Sequence, residues 1–289
     1  MSKKANKIVL EAGYVRSILV GVTARADFTE TPALKYAIDL AANCGASLTL
    51  YVFAPRSIAW LGATVAPSAW AEHEIEKCRR ATSATTLAAS ELVSGERIDL
   101  ITEQANSPFE PRGERFVHLA RTHDLAILDA ALDTDLEGHA LIEDTLFDSG
   151  RAVVVVPRNG GTAVPHRIAV AWDGSARAAR AVKEALPFLA TSELVVLVTI
   201  TGEKDLSRMA PGAELAAYLV RHGVKDCKLA TLAGAGGDVA TCIRLFVAEE
   251  DIEMIVMGAF VHSRFREAIL GGVTRSLLDA SPVPLLLAH

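Results

Sequence analysis

Short runs of aliphatic, often β-branched residues alternate along the chain with longer stretches in which apolar positions recur every three or four residues. Arg16-Ser17-Ile18-Leu19-Val20-Gly21-Val22 is of the first kind and predicts a strand buried on both faces. Leu34, Ala37, Ile38 and Ala41 are of the second kind and predict a helix with one apolar face. The pattern then recurs. His166-Arg167-Ile168-Ala169-Val170-Ala171-Trp172 repeats the strand, and Val182, Ala185, Leu186 and Leu189 repeat the helix at the same spacing. Further on, residues 47–53 match 193–200, 98–104 match 226–232, 124–130 match 251–258 and 151–157 match 282–288.

Matched positions are 150 residues apart at the first strand (Ile18 and Ile168), 127 at the fourth (Asp124 and Asp251) and 131 before the last (Asp148 and Asp279). These offsets assign 23 extra residues to the first half, around 56–95, and 4 to the second half after its fourth strand. Each half reads as five strands alternating with four helices. Short parallel strands joined by helices imply an open sheet covered on both faces. The expected fold is therefore α/β, with two tandem doubly wound domains, each an open five-stranded parallel sheet. Pro157-Arg158-Asn159-Gly160-Gly161-Thr162 is rich in turn formers, so domains of 1–160 and 161–289 are expected.

Composition narrows the class. Of 289 residues, 51% are hydrophobic and 22% charged, enough apolar material for two cores and too much for a disordered chain. The formal charge of −6 argues against a dominant basic face for nucleic acid. Near the start, Ile8, Val9 and Leu10 are interrupted by Glu11, too short an apolar run for a secretory signal, and no run reaches the length of a membrane span. Cys44, Cys78, Cys227 and Cys242 are scattered without a C-x-x-C pair, which fits reduced thiols. A cytoplasmic protein without membrane or nucleic-acid partners is expected.

Open α/β sheets bind ligands beyond the carboxyl ends of their strands. In the second half the first strand leads into Asp173-Gly174-Ser175, and the fourth leads through Gly258 into a segment holding Ser263, Arg264 and Arg266 and closing on Gly271-Gly272-Val273-Thr274. The last four residues read as the start of a helix over 273–278. Such a start presents unpaired N–H groups and a positive dipole end, which suits phosphate, and Arg264 and Thr274 add charge and a hydroxyl. The same residues also fit a plain turn with a solvated charged face.

The two-copy order, Ala171-Trp172-Asp173-Gly174-Ser175 and the closing stretch MGAFVHSRFREAILGGVTRSLLDASPVPLLLAH resemble the bacterial universal stress protein (UspA-like) family in its tandem form, whose fold is adenine nucleotide alpha hydrolase-like and Rossmann-like. The resemblance covers the whole chain and is strongest in the second half. Members that bind ATP carry G-x2-G-x9-G followed by Ser or Thr. Here Gly258 and Gly271 hold the first and third glycine positions, Val261 replaces the second glycine, and Gly272 stands where the hydroxyl belongs. Asp173 matches the aspartate that contacts the nucleoside. The resemblance thus implies a nucleotide site of Ala171, Asp173, Gly258, Arg264, Gly271, Gly272, Val273 and Thr274, with ATP and magnesium as the ligand, weakened by the two substitutions. It also implies that the last strands of the halves, 152–156 and 283–287, pair as an intramolecular pseudo-dimer, with a further homodimer left open.

The first half departs from this pattern. Thr23 stands where Asp173 would, and Asp129-Ala130-Ala131-Leu132-Asp133-Thr134-Asp135 replaces the glycine loop. Three carboxylates repel phosphate, so no nucleotide is expected there; the spacing lacks the features of a calcium loop, and a solvated acidic loop is expected instead. Trp60 and Trp70 lie in an apolar stretch that reads either as packed on its own core or as a cover for an apolar ligand. No P-loop, G-x-S-x-G or H-E-x-x-H sequence occurs, and no general base or arginine finger is evident, so hydrolysis would at most be slow. Three functions are consistent with these residues. One is a stress-response regulator that binds adenine nucleotide in its second half. The others are a nucleotide-independent dimerisation and interaction module and a binder of another small ligand near the Trp60 to Trp70 segment.

Overall fold

The structure is a computed structural model that describes residues 15–55, 68–111, 113–131, 134–201, 212–233, 238–259 and 271–289. In the first half the elements are β1 (Ser17–Thr23), α1 (Pro32–Cys44), β2 (Ser47–Phe53), α2 (Ser68–Val93), β3 (Leu100–Gln104), α3 (Glu114–Ala120), β4 (Leu125–Asp129), α4 (Leu136–Asp148) and β5 (Val153–Val156). In the second they are β6 (Arg167–Ala171), α5 (Ala176–Thr191), β7 (Leu194–Thr201), α6 (Gly212–Arg221), β8 (Cys227–Ala233), α7 (Val239–Glu249), β9 (Met254–Gly258), α8 (Gly272–Ala280) and β10 (Leu285–Ala288).

Each half has its five strands parallel, with the order reversing between β1 and β4 and between β6 and β9. The halves fuse into one ten-stranded sheet because β5 and β10 pair antiparallel, with Val154 opposite Leu286. This is the pairing of last strands anticipated from the resemblance. Antiparallel joining has a geometric result: the carboxyl ends of the first half's strands lie along one edge of the sheet, and those of the second half along the opposite edge.

The sheet is apolar on both sides, and each side is covered by helices of both halves. One buried cluster joins Leu34, Ala37 and Leu40 of α1 with Val182, Ala185 and Phe188 of α5. The other joins Phe116 of α3 and Ile142 of α4 with Ile243 of α7 and Leu277 of α8. The matched helix faces read from spacing are the buried ones in both halves. Neither cluster stops at the seam, so the halves share their core. The connection between β5 and β6 contains the 157–162 stretch, and Cys44, Cys78, Cys227 and Cys242 are free thiols.

The register corrects the arithmetic of the repeat. Ile18 lies beside Leu125 and Ile168 beside Met254, so fourth-strand positions are 129 apart rather than 127. Ala126 lies beside Val153 and Ile255 beside Leu285, which makes the last strands 132 apart. The first half therefore carries 21 extra residues and the second 3. The reason lies in two acidic residues. Asp251 sits in a turn with φ of 49°, whereas Asp124 is matched in role by Glu253. The Asp124 carboxylate accepts from the amides of Arg16 and Ser17, and the Glu253 carboxylate accepts from those of His166 and Arg167. Most of the first half's excess lengthens α2, which runs 26 residues against 10 in α6.

Candidate functional site

In the second half, β6 ends at Ala171, and the chain turns through Gly174, whose φ of 71° favours glycine. The Asp173 carboxylate accepts from the Ser175 amide at 3.0 Å, and the Ser175 hydroxyl oxygen accepts from the Ala178 amide at 3.1 Å. This chain of bonds starts α5 and fixes Asp173 at the strand end. On the adjacent strand, Gly258 approaches the same helix start so closely that a Cβ would lie 2.5 Å from the Ala178 nitrogen. Only glycine fits there. Across the same edge, Gly271 caps α8 with extended backbone and offers no side-chain oxygen to the first-turn amides. Among the described residues no side chain accepts from the amides that open α8.

The eight residues read from sequence are not equivalent in this geometry. Ala171, Asp173, Gly258, Gly271 and Gly272 lie at the carboxyl ends of β6 and β9 or at the α8 start. Gly272 is exposed with open space around it, so no steric reason demands glycine there. Val273 packs partly into the core, and Thr274 is buried at 1% exposure. Arg264, with Val261, lies outside the described residues. Two residues at this edge escaped the sequence reading. Arg177 is in the first turn of α5, and His289 directly follows β10, its ring edge-on to Phe147 at 4.8 Å. Burial, with the Arg177 charge, lowers the His289 pKa. Its place beyond a strand's carboxyl end was the available signal.

The first half resolves the same positions differently. Asp129 ends β4, and its carboxylate accepts from the Ala33 amide of α1 at 2.8 Å and from the Thr31 hydroxyl. Burial pushes the Asp129 carboxyl up, while those two hydrogen bonds and the Arg25 charge pull it back. Asp135 is the N-cap of α4 and accepts from the Gly138 amide at 2.9 Å. The expectation of a solvated acidic loop is therefore wrong for both: each carboxylate satisfies a helix start. Asp133 lies outside the described residues.

Beside Asp129 opens a cavity of about 360 Å³, floored by Phe53, Leu128 and Leu141 and flanked by Thr23, Arg25 and Arg158. A second, shallower hollow of about 580 Å³ shares Ala130, Ala131 and Arg158 with it and continues to Asp279 of α8 in the other half. Polar bonds also cross the seam, with Arg180 donating to the Gly150 carbonyl at 2.8 Å and His139 facing Asp279 at 3.3 Å. Of the tryptophan stretch, Trp60 lies outside the described residues, and Trp70 sits in α2 with its ring 5.9 Å from Phe109. Among the described residues no group of three or more His, Cys, Asp or Glu could hold a metal ion, and no helix is long and apolar enough to cross a membrane.

Residues 165–289 match the family model described as the universal stress protein family. Over these residues, somewhat less than half of the chain, the second half is similar to that family. The likeness of fold extends further than this domain. A universal stress protein from Archaeoglobus fulgidus DSM 4304 superposes with a TM-score of 0.71 over 98% of both chains at 14% identity. A protein of unknown function from Pseudomonas aeruginosa PAO1 does so with 0.60, over 95% of this chain and 92% of that one, at 16% identity. A search among curated proteins finds no match. At these identities the two structures share a fold with this chain, and the site must be argued from its own residues.

Proposed function

We propose that this chain is a cytoplasmic regulator of the stress response, divided into units of 1–160 and 161–289, whose second unit binds an adenine nucleotide such as ATP. The observation that carries this reading is the α8 start, which no described side chain caps, beside the strand end where Gly258 lets the start of α5 pack close. A helix start whose first-turn amides meet no described side-chain acceptor suits a polyphosphate. Asp173 is held at the end of the neighbouring strand, where it can accept from a ribose hydroxyl. Magnesium belongs to the proposal only as the counter-ion of the nucleotide. Neither an activated water nor a dedicated base enters it, so the nucleotide acts as a signal rather than as a substrate.

Calorimetric titration of the full chain with ATP and magnesium tests the proposal, after denaturation and mass analysis for carried nucleotide. The expected result is binding in the micromolar range, weakened about tenfold or more by Asp173→Ala, in line with the loss of a hydrogen bond. Gly272→Ser, which meets open space, is expected to tighten binding by adding a hydroxyl at the α8 start. Absence of binding at millimolar ATP, with no carried nucleotide, overturns the proposal and leaves the interaction module.

A further inference from the structure

The first half contains a cavity that the proposed function does not use. It opens at the carboxyl ends of β1 and β4, where the strand order reverses and where open sheets place their ligands. Its volume of about 360 Å³ falls in the range of small-molecule sites. Its floor is apolar, formed by Phe28, Phe53, Leu128 and Leu141, and the aromatic part is rigid because Phe53 packs against Tyr51 and Phe116 at 5.0 and 5.2 Å between ring centroids. A Cβ on Gly21 would strike Phe53 at 2.6 Å, so the strand itself is shaped to seat that ring.

The polar groups set the sign of what this cavity accepts. Asp129 and Asp135 are partly buried carboxylates at the wall, Asp135 being engaged at the α4 start, and Glu30, Arg25 and Arg158 are exposed at the mouth. One Asp129 oxygen is engaged by the Ala33 amide, and a carboxylate has acceptor sites beyond the bonds named here. In the second half this strand position is Gly258, against which the start of α5 packs, whereas the first half places a negative charge there. Phosphate would meet repulsion at Asp129. A cationic donor would meet attraction, and in a desolvated setting such a charge-assisted bond is stronger than a neutral one.

We propose that the first-half cavity is a second ligand site, distinct from the nucleotide site, for a compact organic molecule with an apolar or aromatic body and an ammonium head directed at Asp129. The body lies on the Phe53 and Leu128 floor, and the head replaces water at the carboxylate. The two halves then read two chemically opposite ligands at opposite edges of one sheet. Because this site shares no residue with the second-half site, it stands or falls independently of nucleotide binding.

The test uses the full chain and two probes of similar shape and opposite charge, phenethylammonium and 3-phenylpropionate, titrated by calorimetry near neutral pH. The ammonium is expected to bind about tenfold or more tightly than the carboxylate, and Asp129→Asn is expected to erase that preference. Ala130→Phe, which fills the cavity from its rim without touching the Ala33 bond, is expected to abolish binding of the ammonium even if the Asp129 variant unfolds. Saturating ATP is expected to leave the ammonium affinity unchanged. Equal affinity for the two probes, no ammonium binding at about 10 mM, or displacement of the ammonium by ATP would each overturn the proposal, the last by showing a nucleotide in this cavity.

Discussion

In the first half the fourth strand ends on Asp129, whose carboxylate reaches the start of α1, whereas in the second half it ends on Gly258 and the start of α5 itself occupies that space. The helices explain the exchange. Aligned on their matched core faces, with Leu34 on Val182, α5 begins four residues before α1 does. That is about one turn. Its extra turn brings backbone against the strand, so the strand residue must lose its side chain. In the first half the shorter helix leaves a gap that a side chain fills. The next helix shows the reverse: aligned on the last strands, α4 begins four residues earlier than α8 and is capped by Asp135, while α8 starts late on Gly271 with no cap among the described side chains. A shift of one turn at two helix starts therefore distinguishes strand ends where carboxylates satisfy both helix starts from strand ends where Ser175 caps α5 and no described side chain caps α8.

The largest test of this comparison is to carry one half's residue into the other. Gly258→Asp is expected to cost about 3 kcal/mol or more, because the new Cβ would collide with backbone rather than with a movable side chain. Urea denaturation measures it. A loss within the error of the wild type would mean that α5 can withdraw and that glycine is not sterically required.

Next in size are the two carboxylates that hold the first strand of each half. Asp124→Ala and Glu253→Ala are each expected to lose about 1.5–3 kcal/mol, by removing acceptors for two strand amides. Similar losses in the same denaturation assay would support the corrected register, in which these two residues correspond. A loss at Asp251→Ala as large as that at Glu253→Ala would contradict it.

A pH series isolates Asp129. Its folded-state pKa is raised by burial above the unfolded value, roughly 3.9. Below that value the carboxyl is neutral in both states and carries no penalty. As pH rises through the raised folded value, the unfolded chain ionises more readily, and stability is lost. The wild type is therefore expected to lose stability relative to Asp129→Asn as pH rises from about 4. A difference that stays flat as pH rises would show that the Ala33 and Thr31 bonds, with Arg25, offset burial.

The smallest expected effect concerns α1 against α5. The Tyr36 hydroxyl is buried without a hydrogen-bond partner among the described residues, while the aligned position in α5 is Glu184, paired with Arg180 at 2.7 Å. Tyr36→Phe removes an unsatisfied buried group and is expected to be neutral or to stabilise by up to about 1 kcal/mol. A clear destabilisation in thermal denaturation would reveal a partner for that hydroxyl.

Element types and their order were legible because apolar spacing is a local property: the period of Leu34, Ala37, Ile38 and Ala41 specifies a buried helix face whatever lies opposite. Copy number was legible for the same reason. Gly258 and Gly271 were legible as candidate site residues through their spacing, but the reason for Gly258, contact with the start of α5, was not, because that contact joins residues 80 apart in sequence. The role of Asp129 was misread since a string of acidic letters looks the same whether it faces water or caps a helix.

Composition, periodicity and the repeat by themselves determined two α/β halves of like order, their strands and helix faces, and the strand ends that are candidates for a ligand site. Only the tertiary structure decided the antiparallel joining at β5 and β10, the two-residue correction in the fourth strand, the single core crossing the seam and the opposite closures at Asp129 and Gly258. The physical reason is range. Hydrophobic period is set by neighbours three or four residues away, whereas register and helix starts are set by amides and carboxylates that meet only after distant strands have paired.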